Sequence, residues 1–355
     1  MTHSYFTDVV MRAMDRAIPL TAHLMLTYRC SQDCVHCYQR HGALPGEMTL
    51  DHYRVLLDDL ASLGCLTVVL SGGEPMLRPD FLAIARAVRE RHLTLRVFTN
   101  GQHLHDDTAK ELAQLHPFSV DVSLYGATAE VHDAVSNRPG SFSNVVSAID
   151  ALRRGGIRVK VKNTLLSMNV HQADAVAALV RSLGATLEQS PYLYEPARKD
   201  RYQDLALGPE HLALLAHEES AEDDSCGIDP LRPWEEQRMC GAGSSYVAVD
   251  PVGNVLPCPL FGTAVGNVTQ TPLADIWREA PLLKSLRAAR KGDVEACRTC
   301  LLRHGCGRCV ASVFNATGTL YEVDEKSCKI VRNKYSSRHS KIEVPLPQNR
   351  LRRSV

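Results

Sequence analysis

Cys30, Cys34 and Cys37 stand in the run Tyr28-Arg29-Cys30-Ser31-Gln32-Asp33-Cys34-Val35-His36-Cys37-Tyr38, three thiols at C-x3-C-x2-C spacing. A 4Fe-4S cluster is ordinarily held by four thiolates, so three leave one iron with an open position. An open metal position binds a small molecule directly, as it does in catalytic zinc sites. The motif therefore points to a reaction centre rather than to an electron relay.

A second group of cysteines lies far downstream: Cys226, Cys240, Cys258, Cys297, Cys300, Cys306, Cys309 and Cys328, among twelve in the chain. The N-terminus carries Asp8, Arg12, Asp15 and Arg16 without a long apolar stretch, and no apolar run long enough to span a bilayer occurs. Neither a secretory signal nor a membrane span is expected, and the default compartment is the cytoplasm. Thiols there are kept reduced, which favours metal or cluster ligation over disulfides. Eight thiolates suit two fully ligated 4Fe-4S clusters, while the C-x2-C pairs Cys297/Cys300 and Cys306/Cys309 also suit tetrahedral zinc. Cys65, alone in Ser62-Leu63-Gly64-Cys65-Leu66-Thr67, reads as a small buried hydrophobe.

The 355 residues are 45% hydrophobic, with 40 Lys+Arg against 40 Asp+Glu, the composition of a globular protein of one large or two modest domains. Balanced charge gives no reason to expect a nucleic acid as the main partner. Basic residues gather only after Cys328 (Lys329, Arg332, Lys334, Arg338, Lys341, Arg350, Arg352, Arg353), and that tail reads as a solvated or loosely docked terminus.

Between the cysteine groups, short apolar runs alternate with helical patterns, which is a βα repeat. Strands are expected at 23–28, 66–71, 94–98, 118–124, 157–162 and 185–190. Ser141 is an N-cap candidate for a helix carrying Phe142, Val145, Val146, Ile149 and Leu152 on one face and ending at Gly155-Gly156. In a parallel α/β architecture ligands sit at the C-terminal ends of the strands. The cysteine loop follows the first strand and so occupies that position. Val68-Val69-Leu70-Ser71-Gly72-Gly73-Glu74-Pro75 follows the second; its glycines would let a ligand approach the backbone, and Glu74 would accept from an ammonium group. Thr99-Asn100-Gly101 after the third strand is a turn signal that could add polar contacts.

Cys30-x3-Cys34-x-His36-Cys37 followed by Ser71-Gly72-Gly73-Glu74-Pro75 resembles the radical S-adenosylmethionine (radical SAM) superfamily over about residues 20 to 195. The resemblance implies a partial (β/α)6 TIM-like barrel. It also implies a 4Fe-4S cluster on Cys30, Cys34 and Cys37 whose open iron is chelated by the amino and carboxylate groups of S-adenosylmethionine. Reductive cleavage would give a 5′-deoxyadenosyl radical that abstracts hydrogen from substrate. By the same resemblance His36 lies beside the adenine, Gly72, Gly73 and Glu74 meet the methionyl amine, Ser123 contacts ribose or carboxylate, and Lys162 pairs with a carboxylate; Asn100, in the turn after the third strand, is a further cofactor-side candidate. Such contacts match the charges of a zwitterion held beside the cluster edge.

The later cysteines resemble the SPASM extension of that superfamily, a small cysteine-rich domain with two auxiliary 4Fe-4S clusters. Its ligand interleaving implies Cys240, Cys258 and Cys309, with Cys226, on the first cluster, and Cys297, Cys300, Cys306 and Cys328 on the second. Two residues separate Cys306 from Cys309 where the family commonly has three, and Cys226 stands fourteen positions before Cys240. Without Cys226 the first auxiliary cluster has an open site that could bind substrate. Strands at 246–249 and 254–256 around Asp250-Pro251-Val252-Gly253 form a hairpin signature presenting Cys240 and Cys258 together. The expected layout is an N-terminal extension 1–22, a radical SAM core 23–200, a bridging region 201–235, a SPASM domain 236–335 and a basic tail 336–355.

Enzymes with this architecture most often modify ribosomally made peptides or proteins, and some act on tetrapyrroles or other small molecules. Both readings stay open, beside a non-catalytic iron-sulfur or zinc protein. The segment before the first strand is too short for a leader-binding winged helix, which a separate recognition protein would replace. A flavodoxin or ferredoxin would supply electrons. Tyr125, Tyr192, Tyr194 and Glu195, at strand ends, are the substrate-side candidates.

Overall fold

The computed structural model describes residues 5–39, 42, 44–194, 202–208, 211, 232–323, 325, 328–329 and 331–332. Six strands, β1 (Thr21–Met25), β2 (Thr67–Ser71), β3 (Thr94–Thr99), β4 (Ser119–Ser123), β5 (Val159–Thr164) and β6 (Thr186–Ser190), pair in parallel in sequence order. Between them run α2 (Leu50–Ser62), α3 (Phe81–Glu90), α4 (Asp106–Gln114), α5 (Ala129–Ser136), α6 (Ser141–Arg154) and α7 (Ala173–Ser182), with α1 (Tyr5–Asp15) ahead of the first strand. This is the parallel α/β architecture of a partial (β/α)6 barrel.

One face of every central strand is apolar. Leu95 and Val97 on β3 and Val159 and Val161 on β5 are buried among Leu56, Ile84, Val145 and Ile149 of the helices. The alternate residues, Arg96, Phe98, Lys160 and Lys162, fall on the opposite face because side chains alternate along a strand.

The first strand starts and stops before its expected 23–28. Residues beyond Met25 leave the ladder because the Thr27 and Arg29 carbonyls accept hydrogen bonds from the loop after β2. Ser141 is not the N-cap of α6: Gly140 caps it at φ 78°, and the Asp133 carboxylate accepts from the Gly140 and Phe142 amides and the Ser141 hydroxyl. A carboxylate from the preceding helix is the stronger acceptor for those first-turn amides.

The expected hairpin forms as β7 (Tyr246–Val249) and β8 (Asn254–Leu256), antiparallel, with the Asp250 carboxylate holding the Val252 and Asn254 amides. It is not a free-standing scaffold. β7 pairs in parallel with β1, and β9 (Gly266–Asn267) pairs with β8, so one nine-stranded sheet runs β6-β5-β4-β3-β2-β1-β7-β8-β9. Among the described residues, β6 and β9 are its two edges.

Trp277, in the helix Leu273–Glu279, fastens the C-terminal third to the N-terminal segment. It is 2% exposed, donates through Nε1 to the Ala17 carbonyl at 2.6 Å, and lies under the Arg287 guanidinium. Asp59 of α2 accepts from the Leu273 amide at 2.8 Å, capping the same helix. Trp277→Ala is expected to destabilise the chain by about 3–5 kcal/mol, the range for large aromatic truncations in a core, as read from urea unfolding.

Candidate functional site

The cysteine loop and the Gly72–Glu74 loop leave adjacent parallel strands and are locked together by backbone. Gly73 N donates to Thr27 O at 2.7 Å and Glu74 N to Arg29 O at 2.8 Å. A Cβ on Gly72 would stand 2.3 Å from Thr27 O, and one on Gly73 2.3 Å from Arg29 O. A side chain at either position would therefore collide with the backbone of the cysteine loop.

Glu74 is fully buried, and its carboxylate accepts from Thr99 Oγ1 at 2.9 and 3.0 Å, the Asn100 amide at 2.8 Å and the Met76 amide at 3.2 Å. Burial raises its pKa to about 7 against the opposing pull of those donors. A cationic group arriving beside it would be matched by the ionised carboxylate.

Cys30, Cys34 and Cys37 share the loop that follows β1, near enough that charge on one acts on another. The Cys30 sulfur accepts from the Gln32 amide at 3.4 Å and from Asn100 Nδ2 at 3.6 Å. Burial pushes the Cys34 thiol well above its usual value and Cys37 to about 11, and in both the other cysteines' charge adds to the rise. Three thiols that repel one another as thiolates form a soft anionic donor set completed by bound cations, which fits three-point ligation of a 4Fe-4S cluster. His36 is half-buried and neutral, its pKa lowered to about 4 by desolvation, and its inaccessible Nδ1 has no hydrogen-bond partner.

Tyr125 does not stand free at the cavity as its position after β4 suggests. It is 7% exposed, its hydroxyl bonds to Ser123, and its ring lies between the His36 edge at 4.7 Å and the stacked His132 at 5.6 Å. Its place is packing behind the cysteine loop. Lys162 is likewise engaged: its ammonium lies 3.1 Å from Glu188, 3.8 Å from Asp121 and 4.7 Å from the Phe98 ring centre.

Those contacts belong to a polar wall on the inner face of the strands. Arg96 pairs with Asp121 at 2.7 Å, and Lys160 with Glu188 at 3.3 Å. His23 bridges Tyr246 Oη at 2.9 Å and the Ser71 hydroxyl. Its pKa falls to about 3, through burial first and the charges of Lys162 and Arg96 second. Sequence reading missed this wall, although period-2 alternation in β3 and β5 marks Arg96 and Lys160 as facing away from the helices. It also missed Arg138, whose guanidinium donates to the Ser31 carbonyl in the cysteine loop; inside a turn-like Asn137-Arg138-Pro139-Gly140, nothing distinguishes that cation from a surface one.

Some of the late cysteines act on one another electrostatically. The Cys258 thiol is pushed far up by burial, then by Cys240 and Cys309. Cys297 and Cys306 are raised by burial, and Cys300 acts on both. Cys328 is half-buried against the same core. Cys226 and Glu195 lie outside the described residues. Among the described residues, no three His, Cys, Asp or Glu side chains converge closely enough to hold a single ion.

The two regions meet at aromatic side chains. Tyr38, next to Cys37, meets the Tyr194 ring edge-on at 6.2 Å. Tyr192 reaches over to Gly307, between Cys306 and Cys309.

Two outcomes test this geometry. Gly73→Ala should cost about 1–3 kcal/mol in the metal-free protein by urea unfolding, because the new methyl has nowhere to go. His23 is held neutral, so its contribution to stability is complete above its unfolded value of 6.5 and is lost as pH falls toward 3. Urea unfolding should weaken over that interval, and less steeply in His23→Gln.

A family model described as the radical SAM superfamily matches residues 24–183, and one described as an iron-sulfur cluster-binding domain, SPASM, matches residues 240–301. The mycofactocin maturase MftC of Mycobacterium ulcerans is 32% identical over 314 residues, covering 83% of this chain and 84% of that protein. The AdoMet-dependent heme synthase of Methanosarcina barkeri is 28% identical over 332 residues, covering 85% and 94%. Streptococcus suis SuiB, solved bound to its precursor peptide SuiA, superposes with a TM-score of 0.64 at 14% identity, over 93% of this chain and 82% of that one. Among the described residues, no helix is long and apolar enough to cross a membrane.

Proposed function

The chain belongs to the radical S-adenosylmethionine superfamily, among its SPASM members, and from that premise we propose that it matures a ribosomally made peptide. It is a radical SAM enzyme whose cofactors are 4Fe-4S clusters and S-adenosylmethionine. When bound, these supply reductive cleavage of the sulfonium and a radical that takes a hydrogen atom from substrate.

Cys30, Cys34 and Cys37 would hold the cluster, and Asn100 Nδ2 and the Gln32 amide would support the Cys30 sulfur. Glu74 would receive the methionyl ammonium, its carboxylate held in place by Thr99 and two backbone amides. Gly72 and Gly73 serve that step by bringing the two loops within backbone reach. His36 would border the adenine, and Ser123 would offer a hydroxyl at the end of β4. Lys162 already has two protein carboxylates, so its part is to shape the inner wall. Cys240, Cys258, Cys309 and Cys226 would ligate the first auxiliary cluster, and Cys297, Cys300, Cys306 and Cys328 the second.

The observation that carries the peptide reading is the sheet that does not close: β6 is an edge among the described residues, and Tyr38 and Tyr194, both more than a third exposed, stand beside it next to the first cysteine loop. An extended chain can enter along such a side and stack on the rim, whereas a compact ligand is served by a closed pocket. The maturase relative, at 32% identity across most of both chains, supports the same reading. A small-molecule substrate is the second reading, favoured by the heme synthase relative. A flavodoxin or ferredoxin would reduce the enzyme, and a separate recognition protein would present the peptide.

Anaerobic coexpression with a precursor encoded beside the gene, followed by mass spectrometry, decides between them. A mass change in the precursor, lost when Cys30, Cys34 and Cys37 are all replaced by Ala together with 5′-deoxyadenosine release, is the expected result. An unchanged precursor with conversion of an added tetrapyrrole would replace the peptide reading by the second one.

A further inference from the structure

We propose that the side-chain amide of Asn100 sets the reduction potential of the cluster that Cys30, Cys34 and Cys37 would hold, by donating a hydrogen bond to the Cys30 sulfur. This rests on the radical SAM reading above and assigns Asn100 as a positioning residue, acting on the cluster through its ligand. The step concerned is the gain of one electron from a reductant; no bond breaks and no proton moves.

Asn100 directly follows β3 and is buried. Its Oδ1 accepts from the Gln102 amide at 2.9 Å. A backbone N–H can meet only an acceptor, so the oxygen must face Gln102 and the NH2 group must face the other way. There it donates to the Cys30 sulfur at 3.6 Å and to the Ser31 hydroxyl at 3.4 Å. Gln102 is itself pinned, its Nε2 donating to the Ser141 carbonyl at 3.1 Å and its Oε1 accepting from Asn144 Nδ2 at 3.0 Å, both in α6. Gly101, at φ 75°, packs so closely on the same helix that a Cβ there would lie 3.2 Å from Val145. Turning the Asn100 amide over would leave the buried Gln102 amide without its acceptor, at a cost of about 1–3 kcal/mol. A residue needed only for an Asn-Gly turn would not be held in this one orientation.

Reduction makes a cluster more negative, and an N–H aimed at a ligating sulfur favours that state. The Glu74 carboxylate opposes it, because its charge also bears on Cys30. Asn100 touches both groups with different atoms: the side chain meets the sulfur, and the backbone amide meets Glu74 at 2.8 Å. Substitution removes the first contact and leaves the atoms of the second in place. The two influences on the cluster are therefore separable by mutation.

The test is a redox titration of the anaerobically reconstituted full chain without S-adenosylmethionine. It follows the electron paramagnetic resonance signal that changes when S-adenosylmethionine is added afterwards. Wild type is compared at matched iron content with Asn100→Leu, which keeps the shape and loses the donor, and Asn100→Asp, which keeps the acceptor for Gln102 and adds charge. At the potential where half the wild-type cluster is reduced, the reduced-to-oxidised ratio should fall about tenfold in Asn100→Leu, equivalent to about 59 mV for one electron, and further in Asn100→Asp. Wild type grown with asparagine labelled with 15N in its side-chain amide should show a 15N coupling to the reduced cluster, a measurement that stands even if a variant fails to load. An unchanged ratio in both variants, including one found together with reduced iron loading, would overturn the proposal, and so would absence of the 15N coupling. A wild type with no cluster signal responsive to S-adenosylmethionine would instead sink the radical SAM reading.

Discussion

The contact on which the reaction centre depends is made entirely of backbone: Gly73 N to Thr27 O and Glu74 N to Arg29 O. Each such bond is worth only about 0.5–1.5 kcal/mol net, yet together they fix two βα loops at a separation that no side chain could survive. From that clamp the Glu74 carboxylate is carried beneath the cysteine loop, and Asn100, whose amide also bonds Glu74, brings its side chain to the Cys30 sulfur. The position of the Glu74 carboxylate and that of the Cys30 sulfur are thereby set by the same few peptide groups. A loop held only by side chains would let the thiols drift relative to the carboxylate.

Below the clamp, the inner face of the sheet is organised by charge. Arg96, Asp121, Lys162, Glu188 and Lys160 form a connected series across β3 to β6, while neutral His23 ties β1 to β2 and β7 through two hydroxyls. Asp121 is fully buried and would be costly unpaired; Arg96, Lys162 and the Ser119 hydroxyl meet that cost. The result is a polar wall that already satisfies its own charges, with side chains held by one another.

The pairing of β7 with β1 makes the auxiliary-cluster region part of the same sheet. Met25 at the end of β1 packs on Leu256 of β8, two residues before Cys258, and also accepts from Gln39, two residues after Cys37. Met25 thus links the loop that carries Cys37 to the strand that precedes Cys258. Relative motion of the two regions would have to break a strand pairing, which is why their separation is a property of the fold rather than of a linker.

What the sequence determined by itself was everything carried by local spacing. The cysteine triad, the Gly-Gly-Glu-Pro loop, the six-strand βα repeat and the Asp250-Gly253 hairpin each follow from residue type and period over a dozen positions or fewer. The structure keeps all of them, with strand ends moved by a few residues. Tertiary structure alone decided what depends on partners far apart in the chain. Tyr125 looked like a cavity residue because strand ends usually are, but His132 and His36 bury it; Lys162 looked free to meet a cofactor, but Asp121 and Glu188 claim it. Gly72 and Gly73 were recognisable as glycines that must allow a close approach, while the identity of what approaches, the carbonyls of Thr27 and Arg29, exists only once β1 and β2 lie side by side. Short-range periodicity fixes which face a side chain takes, and only strand order fixes what it meets there.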